Sequence, residues 1–242
     1  MKKFFNPMAM ILLFAMLTST SFGCWNIPRD KGIGDNVKEE RAIGSFTKLQ
    51  IGGAFKVYLI QGDQEKLVLE ADAEEMKEIV TEVTGNKLKI YTKSNWPGNF
   101  HEMNVYLTFK SLDYIDLSGA VEVQSEELLT FSELQMDVSG ATELKMELKA
   151  ERLNVEFSGA SEVTFSGSCK SGRFETSGAS ELDASGLEFT DLEIEVSGAS
   201  DAKVWATGLL SIDASGASDI RYKGSPKISI NESGASTVKP MN

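Results

Sequence analysis

Twelve carboxylates at fixed positions around a repeated tripeptide are the residues of this 242-residue sequence with the most chemistry to offer. Ser-Gly-Ala occurs seven times, beginning at Ser118, Ser139, Ser158, Ser177, Ser197, Ser215 and Ser233. Two residues before each serine stand Asp116, Asp137, Glu156, Glu175, Glu195 and Asp213, and then Asn231. Four residues after it stand Glu122, Glu143, Glu162, Glu181, Asp201 and Asp219, and then Thr237. If the repeats stack in register, each set becomes a column of like charges about 5 Å apart, which repel one another unless something compensates. Carboxylate oxygens are the ligands that calcium takes. One reading of the columns is therefore a cation-binding or cation-bridged ridge. The other is a water-facing ridge whose acids fan apart beside a tight turn and keep the protein soluble. The second reading is preferred, because the Gly-Gly-x-Gly-x-Asp spacing of calcium-binding β-rolls is missing.

Other reactive side chains are sparse. A hydroxyl follows each alanine from the second copy on, at Thr142, Ser161, Ser180, Ser200, Ser218 and Ser236. A nucleophilic serine needs an adjacent base, and the single histidine, His101, lies outside the repeats. The hydroxyl column reads instead as a ladder bonding neighbouring repeats or the turn backbone. His101 sits beside Trp96, Pro97 and Phe100 in a loop-like segment, where a structural or exposed role outweighs a small sugar-contact site. One histidine also removes multi-histidine metal sites. The net charge of −12 argues against a nucleic-acid partner. That acidity belongs to residues 112–242, which hold 23 acids against 10 bases.

The elements that position these columns follow from the alternation around each serine. Ile115, Met136, Val155, Ile194, Ile212 and Ile230 stand three residues before it, and Leu134, Leu153, Leu192, Leu210 and Ile228 five before. Period-2 alternation marks half-buried strands. It resumes after the corner at Val123, Leu144, Val163, Leu182, Ala202, Ile220 and Val238. A unit of 18–21 residues with short strands and no helix cannot bury its own apolar face, and stacking the units does so. The fold expected is an all-β solenoid. A leucine-rich repeat is the runner-up, but its asparagine is missing. The glycine supplies a backbone conformation that other residues resist, and the alanine is expected at a tight inside corner.

The first half joins the pattern. Residues 45–60 read as a degenerate first coil through Phe46, Leu49, Ile51 and Gly53-Ala54. Met76, Ile79, Val80 and Val83 fall at helical spacing, which predicts a short amphipathic helix over 72–83, capped by Asp72 and covering one end of the array. At the other end Lys239 and Pro240 discourage further strand pairing. Lys2, Lys3 and the apolar run Met8–Leu17 make residues 1–23 an export signal, too short to span a bilayer. Ser21-Phe22-Gly23-Cys24 resembles a lipobox, with Ser21 where leucine is usual. Cys24 is then either the lipidated first residue, the preferred reading, or a thiol able to pair with Cys169. Residues 24–36 read as a tether and 37–242 as one β-solenoid domain, with 37–110 irregular and 111–242 regular.

The stretch from Arg41 to Tyr91 resembles the opening of the bacterial family called putative auto-transporter adhesin, head GIN domain. The matching pieces are Phe46, Leu49, Gly53-Ala54-Phe55, Val57-Tyr58-Leu59, Gln61-Gly62-Asp63, Glu70-Ala71-Asp72 and Leu88-Lys89-Ile90. The Ser-Gly-Ala units look like that family's later portion, so the resemblance covers roughly residues 41–240. It implies a right-handed parallel β-helix in an exported protein, and it brings no catalytic residues. The expectation is a non-enzymatic envelope lipoprotein on the outer membrane, facing periplasm or cell surface. It would be held by a lipid anchor and bind an extracellular or periplasmic polymer or protein. No cofactor beyond a calcium ridge is expected. The alternatives are a polysaccharide-active β-helix enzyme and a self-associating structural component.

Overall fold

Alternating burial governs most of the described segments, which is why the described residues are built almost wholly of strands. The computed structural model describes residues 36–93 and 102–241. In chain order the elements are β1 (Asn36–Arg41), β2 (Lys48–Gln61), β3 (Lys66–Asp72), α1 (Ala73–Met76), β4 (Ile79–Thr84), β5 (Lys87–Thr92) and β6 (Asn104–Phe109). There follow β7 (Tyr114–Ser125), β8 (Leu129–Gly178), β9 (Glu181–Val196), β10 (Asp201–Ala214), β11 (Asp219–Lys223), β12 (Lys227–Glu232) and β13 (Thr237–Pro240). The expectations for residues 1–23, Cys24, the tether up to residue 35, and Trp96, Pro97, Phe100 and His101 lie outside the described residues.

The repeats pair in parallel, with each Ser-Gly-Ala against the next. Ser118-Gly119 lies against Ser139-Gly140. Glu162-Val163 lies against Glu181-Leu182, and Asp201-Ala202 against Asp219-Ile220. The first half shares this register, since Gly53-Ala54 of β2 stands opposite Gly119-Ala120 of β7. On its other side β2 pairs with β5 and β6. Strand β3 follows antiparallel to β6, and β1 antiparallel to β3, so the edge strand β1 runs again in the direction of β6 and β2. The sheet is open rather than closed on itself.

Core side chains come from the columns that the alternation marks. Leu134, Leu153, Met136, Val155, Ile194 and Ile212 are all buried. They belong to one apolar cluster running from Phe46 to Ile220. Its centre is aromatic. Phe174 lies 6.2 Å from Phe157 and 6.0 Å from Phe165, and meets Phe189 edge-on at 5.5 Å.

The helix is shorter than its periodicity predicts. Asp72 caps it as expected, its carboxylate accepting from the Glu74 N–H at 2.8 Å. The turn ends at Met76, and Ile79–Thr84 forms a strand instead. The run Ile79-Val80-Thr81-Glu82-Val83-Thr84 is rich in β-branched residues, which favour strands. A two-residue Gly85-Asn86 turn, with Gly85 at φ 63°, folds it back on β5 as a hairpin. Met76 and Ile79 are buried, whereas Val80 and Val83 are only half-buried in the strand.

Candidate functional site

Each Ser-Gly-Ala corner is held by its glycine. Gly159 has φ +103°, and a Cβ there would stand 2.5 Å from the Gly140 carbonyl oxygen. Glycine is thus required twice over, by the left-handed backbone and by the close approach of the preceding repeat. The parallel ladder continues through the corner, where the Ala179, Ala199 and Ala217 N–H groups donate to the carbonyls of Gly159, Gly178 and Gly198 at 2.8–2.9 Å.

The alanine does not sit inside the corner. Ala120, Ala141, Ala160, Ala179, Ala199 and Ala217 are exposed, whereas Thr142, Ser161, Ser180, Ser200 and Ser218 are buried. The inward parity runs unbroken through the corner, from Val138 to Thr142 and from Phe157 to Ser161, so the glycine takes the intervening inward position and the hydroxyl column turns in. Thr142, Ser200, Ser218 and Ser236 donate to the carbonyl of their own repeat serine at 2.9–3.4 Å. This is the turn-backbone role expected for them. Ser161 and Ser180 keep buried hydroxyls with no partner among the described residues. The repeat serine itself ties one repeat to the previous one. Ser118, Ser139, Ser177 and Ser197 donate to Ile51, Leu117, Phe157 and Thr176 carbonyls at 3.0–3.4 Å. That second role is not visible in spacing alone.

Both acid columns form as the sequence implies. Asp116 lies opposite Asp137, Glu175 opposite Glu195, and Glu195 opposite Asp213. On the other side of the corner Glu122 lies opposite Glu143, and Glu162, Glu181, Asp201 and Asp219 follow one another. The first column and the repeat serines line a groove of about 330 Å³ that crosses five repeats, from Asp137 and Ser139 to Asp213 and Ser215. Among the described residues no group of three or more carboxylates converges as a metal site would require.

Neighbours offset much of the repulsion. Arg173 reaches Glu175 at 2.8 Å, Glu193 at 2.5 Å and Glu195 at 2.6 Å. These bonds hold its guanidinium well above the ordinary arginine value. Gln50 donates to Asp116 at 2.9 Å, Asn231 donates to Asp213 at 2.9 Å, and the Tyr114 hydroxyl donates to Asp137. Burial, then the bond to Asp137, pushes the Tyr114 phenol up. Burial also raises the Asp116 carboxyl, with Lys87 opposing and Asp137 adding to the rise. Lys56 pairs with Glu122 at 2.9 Å, Lys203 with Glu181 at 3.4 Å, and Arg221 with Asp219 at 2.9 Å.

Arg173 gives a test of this balance. Replacing Arg173→Gln leaves Glu175, Glu193 and Glu195 facing one another without their cation. The melting temperature is expected to fall at low ionic strength. The deficit should shrink as added salt shortens the screening length to about 3 Å near 1 M. Thermal melts of both proteins across a salt series check it. A salt-independent deficit would mean that Arg173 acts through packing.

Cys169 is buried and has no disulfide partner among the described residues, and its thiol donates to the Ser171 carbonyl. Burial pushes the thiol up to about 11, which suits a packing residue and not a nucleophile.

Fold and groove together define an all-β repeat protein that carries one regular acidic, hydroxyl-lined face. The chain belongs to the family described as "Putative auto-transporter adhesin, head GIN domain", whose profile matches residues 45–226. Among solved structures it is similar to a putative adhesin from Bacteroides fragilis NCTC 9343, with a TM-score of 0.82 at 24% identity, covering 85% of this chain and 97% of that one. A second is described as a putative lipid binding protein from Parabacteroides distasonis ATCC 8503, with a TM-score of 0.68 at 22% identity, covering 86% and 98%. A putative adhesin from the same organism has a TM-score of 0.69 at 21% identity, covering 87% and 98%. At these identities the likeness is one of fold. No curated protein sequence matches the chain. Among the described residues no helix is long and apolar enough to cross a membrane.

Proposed function

We propose that this protein is a non-enzymatic binding module of the cell envelope, a right-handed parallel β-solenoid that holds an extended polymer along its acidic groove. The groove crossing five repeats carries the reading, because it repeats one chemistry at one spacing. A catalytic cleft is singular, with acids and bases converging. Here carboxylates only accept hydrogen bonds, and four of the repeat serines already donate to the backbone. A matching partner supplies donors, as regularly spaced amino or hydroxyl groups on a glycan or a polypeptide. The family's description as an adhesin fits a module of this kind.

A screen of residues 36–242 against glycans and envelope polymers, with and without calcium, tests the reading. Binding without turnover is expected, weakened by Glu156→Lys in the groove and indifferent to calcium. Release of cleaved sugar would make the protein an enzyme. Calcium-dependent binding would restore the cation-bridged ridge.

The lipobox-like Cys24 and the signal-like residues 1–23 support export, and a lipid anchor at Cys24. Mass spectrometry of the mature protein is expected to find acyl chains on an N-terminal Cys24. An unmodified N-terminus there would remove the anchor.

A further inference from the structure

We infer that the end of the groove nearest β5 is a pocket for one neutral sugar ring. The two rows that line the groove can be followed past Asp137 and Ser139, strand by strand. The acid row continues through Asp116 to Gln50 of β2, Lys89 of β5 and Glu82 of β4. The serine row continues through Ser118 to Gly52 of β2 and Tyr91 of β5. Both rows change chemistry at the same strands. Carboxylates give way to an amide and an ammonium, and hydroxyls to a gap and then a phenol ring.

Gly52 makes the gap. It stands where the repeats carry serine, between Tyr91 and Ser118 on the flanking strands. Those two positions are two strand spacings apart, about 10 Å. A cavity of about 260 Å³ opens there, walled by Gln50, Glu82, Lys89, Tyr91 and Ser118. Sites for drug-sized ligands run to roughly 300–1,000 Å³, so this one suits a single ring.

The walls name the ring. Tyr91 is half-buried and makes no ring contact or side-chain hydrogen bond among the described residues, which leaves its apolar surface to the cavity. Lys89 and Glu82 pair at 3.6 Å, so the charged walls balance. Gln50 gives an amide N–H to Asp116 at 2.9 Å and keeps its carbonyl oxygen as an acceptor. Donors and acceptors thus stand together beside an aromatic side chain. Sugar hydroxyls both donate and accept, and the apolar face of a sugar ring packs on an aromatic one. A charged ligand of either sign would instead face a like charge, Glu82 or Lys89. That a longer glycan runs on from this pocket along the acid row rests on the groove reading above, whereas the pocket itself does not.

Ligand-observed NMR titrations of residues 36–242 test the inference. The solved relatives consist almost entirely of the part this chain covers, so the segment is a self-sufficient folding unit. The probes are the methyl glycosides of glucose, galactose, mannose and N-acetylglucosamine, the linear hexasaccharides of the same sugars, and hexalysine. At least one methyl glycoside is expected to bind. Gly52→Ser puts back the residue of the other repeats, on a backbone outside the left-handed region, with its Cβ 3.1 Å from a Ser118 hydroxyl that can turn aside. It fills the gap and should weaken that glycoside roughly tenfold with circular dichroism intact, as should Tyr91→Ala, while Tyr91→Phe keeps the affinity. Glu156→Lys should spare the methyl glycoside and weaken only the hexasaccharide. If the hexasaccharide ignores Glu156→Lys while the glycoside responds to Gly52→Ser, the pocket stands and the groove falls. No binding of any methyl glycoside overturns the inference, as does binding that neither Gly52→Ser nor Tyr91→Ala weakens. Hexalysine affinity that falls as much with Tyr91→Ala would make this a peptide site and overturn it too.

Discussion

Gly159→Ala is expected to destabilise the fold by roughly 3–5 kcal/mol, summing the strain of a left-handed alanine and the clash of its methyl group. The added Cβ would stand 2.5 Å from the Gly140 carbonyl oxygen, on a backbone at φ +103°. Neither partner can yield alone. The Gly140 carbonyl receives no slack from its own corner, because a Cβ on Gly140 would in turn meet the Gly119 carbonyl at 2.4 Å. Urea unfolding of the variant against Ala160→Ser measures the effect. Ala160 is exposed beside the same corner, so its change should stay within about 0.5 kcal/mol. Equal effects of the two substitutions would show that the corners do not stack as described.

Phe174→Ala is expected to cost about 3–5 kcal/mol, the range for emptying a buried aromatic site. Phe174 is fully buried and touches aromatic rings of the repeats on both sides. Its loss therefore weakens two interfaces at once. In a stacked array each repeat contacts only its neighbours, so cooperativity depends on the middle interfaces. A second outcome follows, namely a shallower or two-step urea transition, because the halves before and after Phe174 uncouple. A parallel loss of stability with an unchanged single transition would place the cooperative unit elsewhere.

Much of the fold is legible in the sequence because strand burial has a period of two and the repeat carries its own alignment. The core columns from Leu134 to Ile212 and the in-register carboxylates are both read from position relative to Ser-Gly-Ala. The exposed alanine and buried hydroxyl also follow from alternation, because Phe157 and Ser161 stand four residues apart and share one parity while Ala160 has the other. Two features do not, the strand after Met76 and the reach of Arg173. The segment after Met76 satisfies helical spacing and strand composition equally, and the Gly85-Asn86 hairpin decides between them. The neutralising Arg173 stands four residues before Ser177, in a column otherwise filled by Tyr114, Gln135, Asn154, Glu193, Ser211 and Ser229. A single base in that column is the signal that could reveal it. Its reach to three carboxylates is a matter of geometry alone.

The central claim is that the repeats present one continuous site and not a local one. Oligolysines of increasing length test this most directly, with affinity measured by fluorescence at low salt on residues 36–242. Five repeats at the ordinary strand spacing span roughly 20 Å, which about six extended residues can match. Affinity is expected to climb with length to about that point and then level. Glu156→Lys in the groove is expected to lower the affinity, while Glu143→Lys beyond the corner has a small effect. Affinity that ignores length, or that falls equally for the two charge reversals, would contradict the continuous groove.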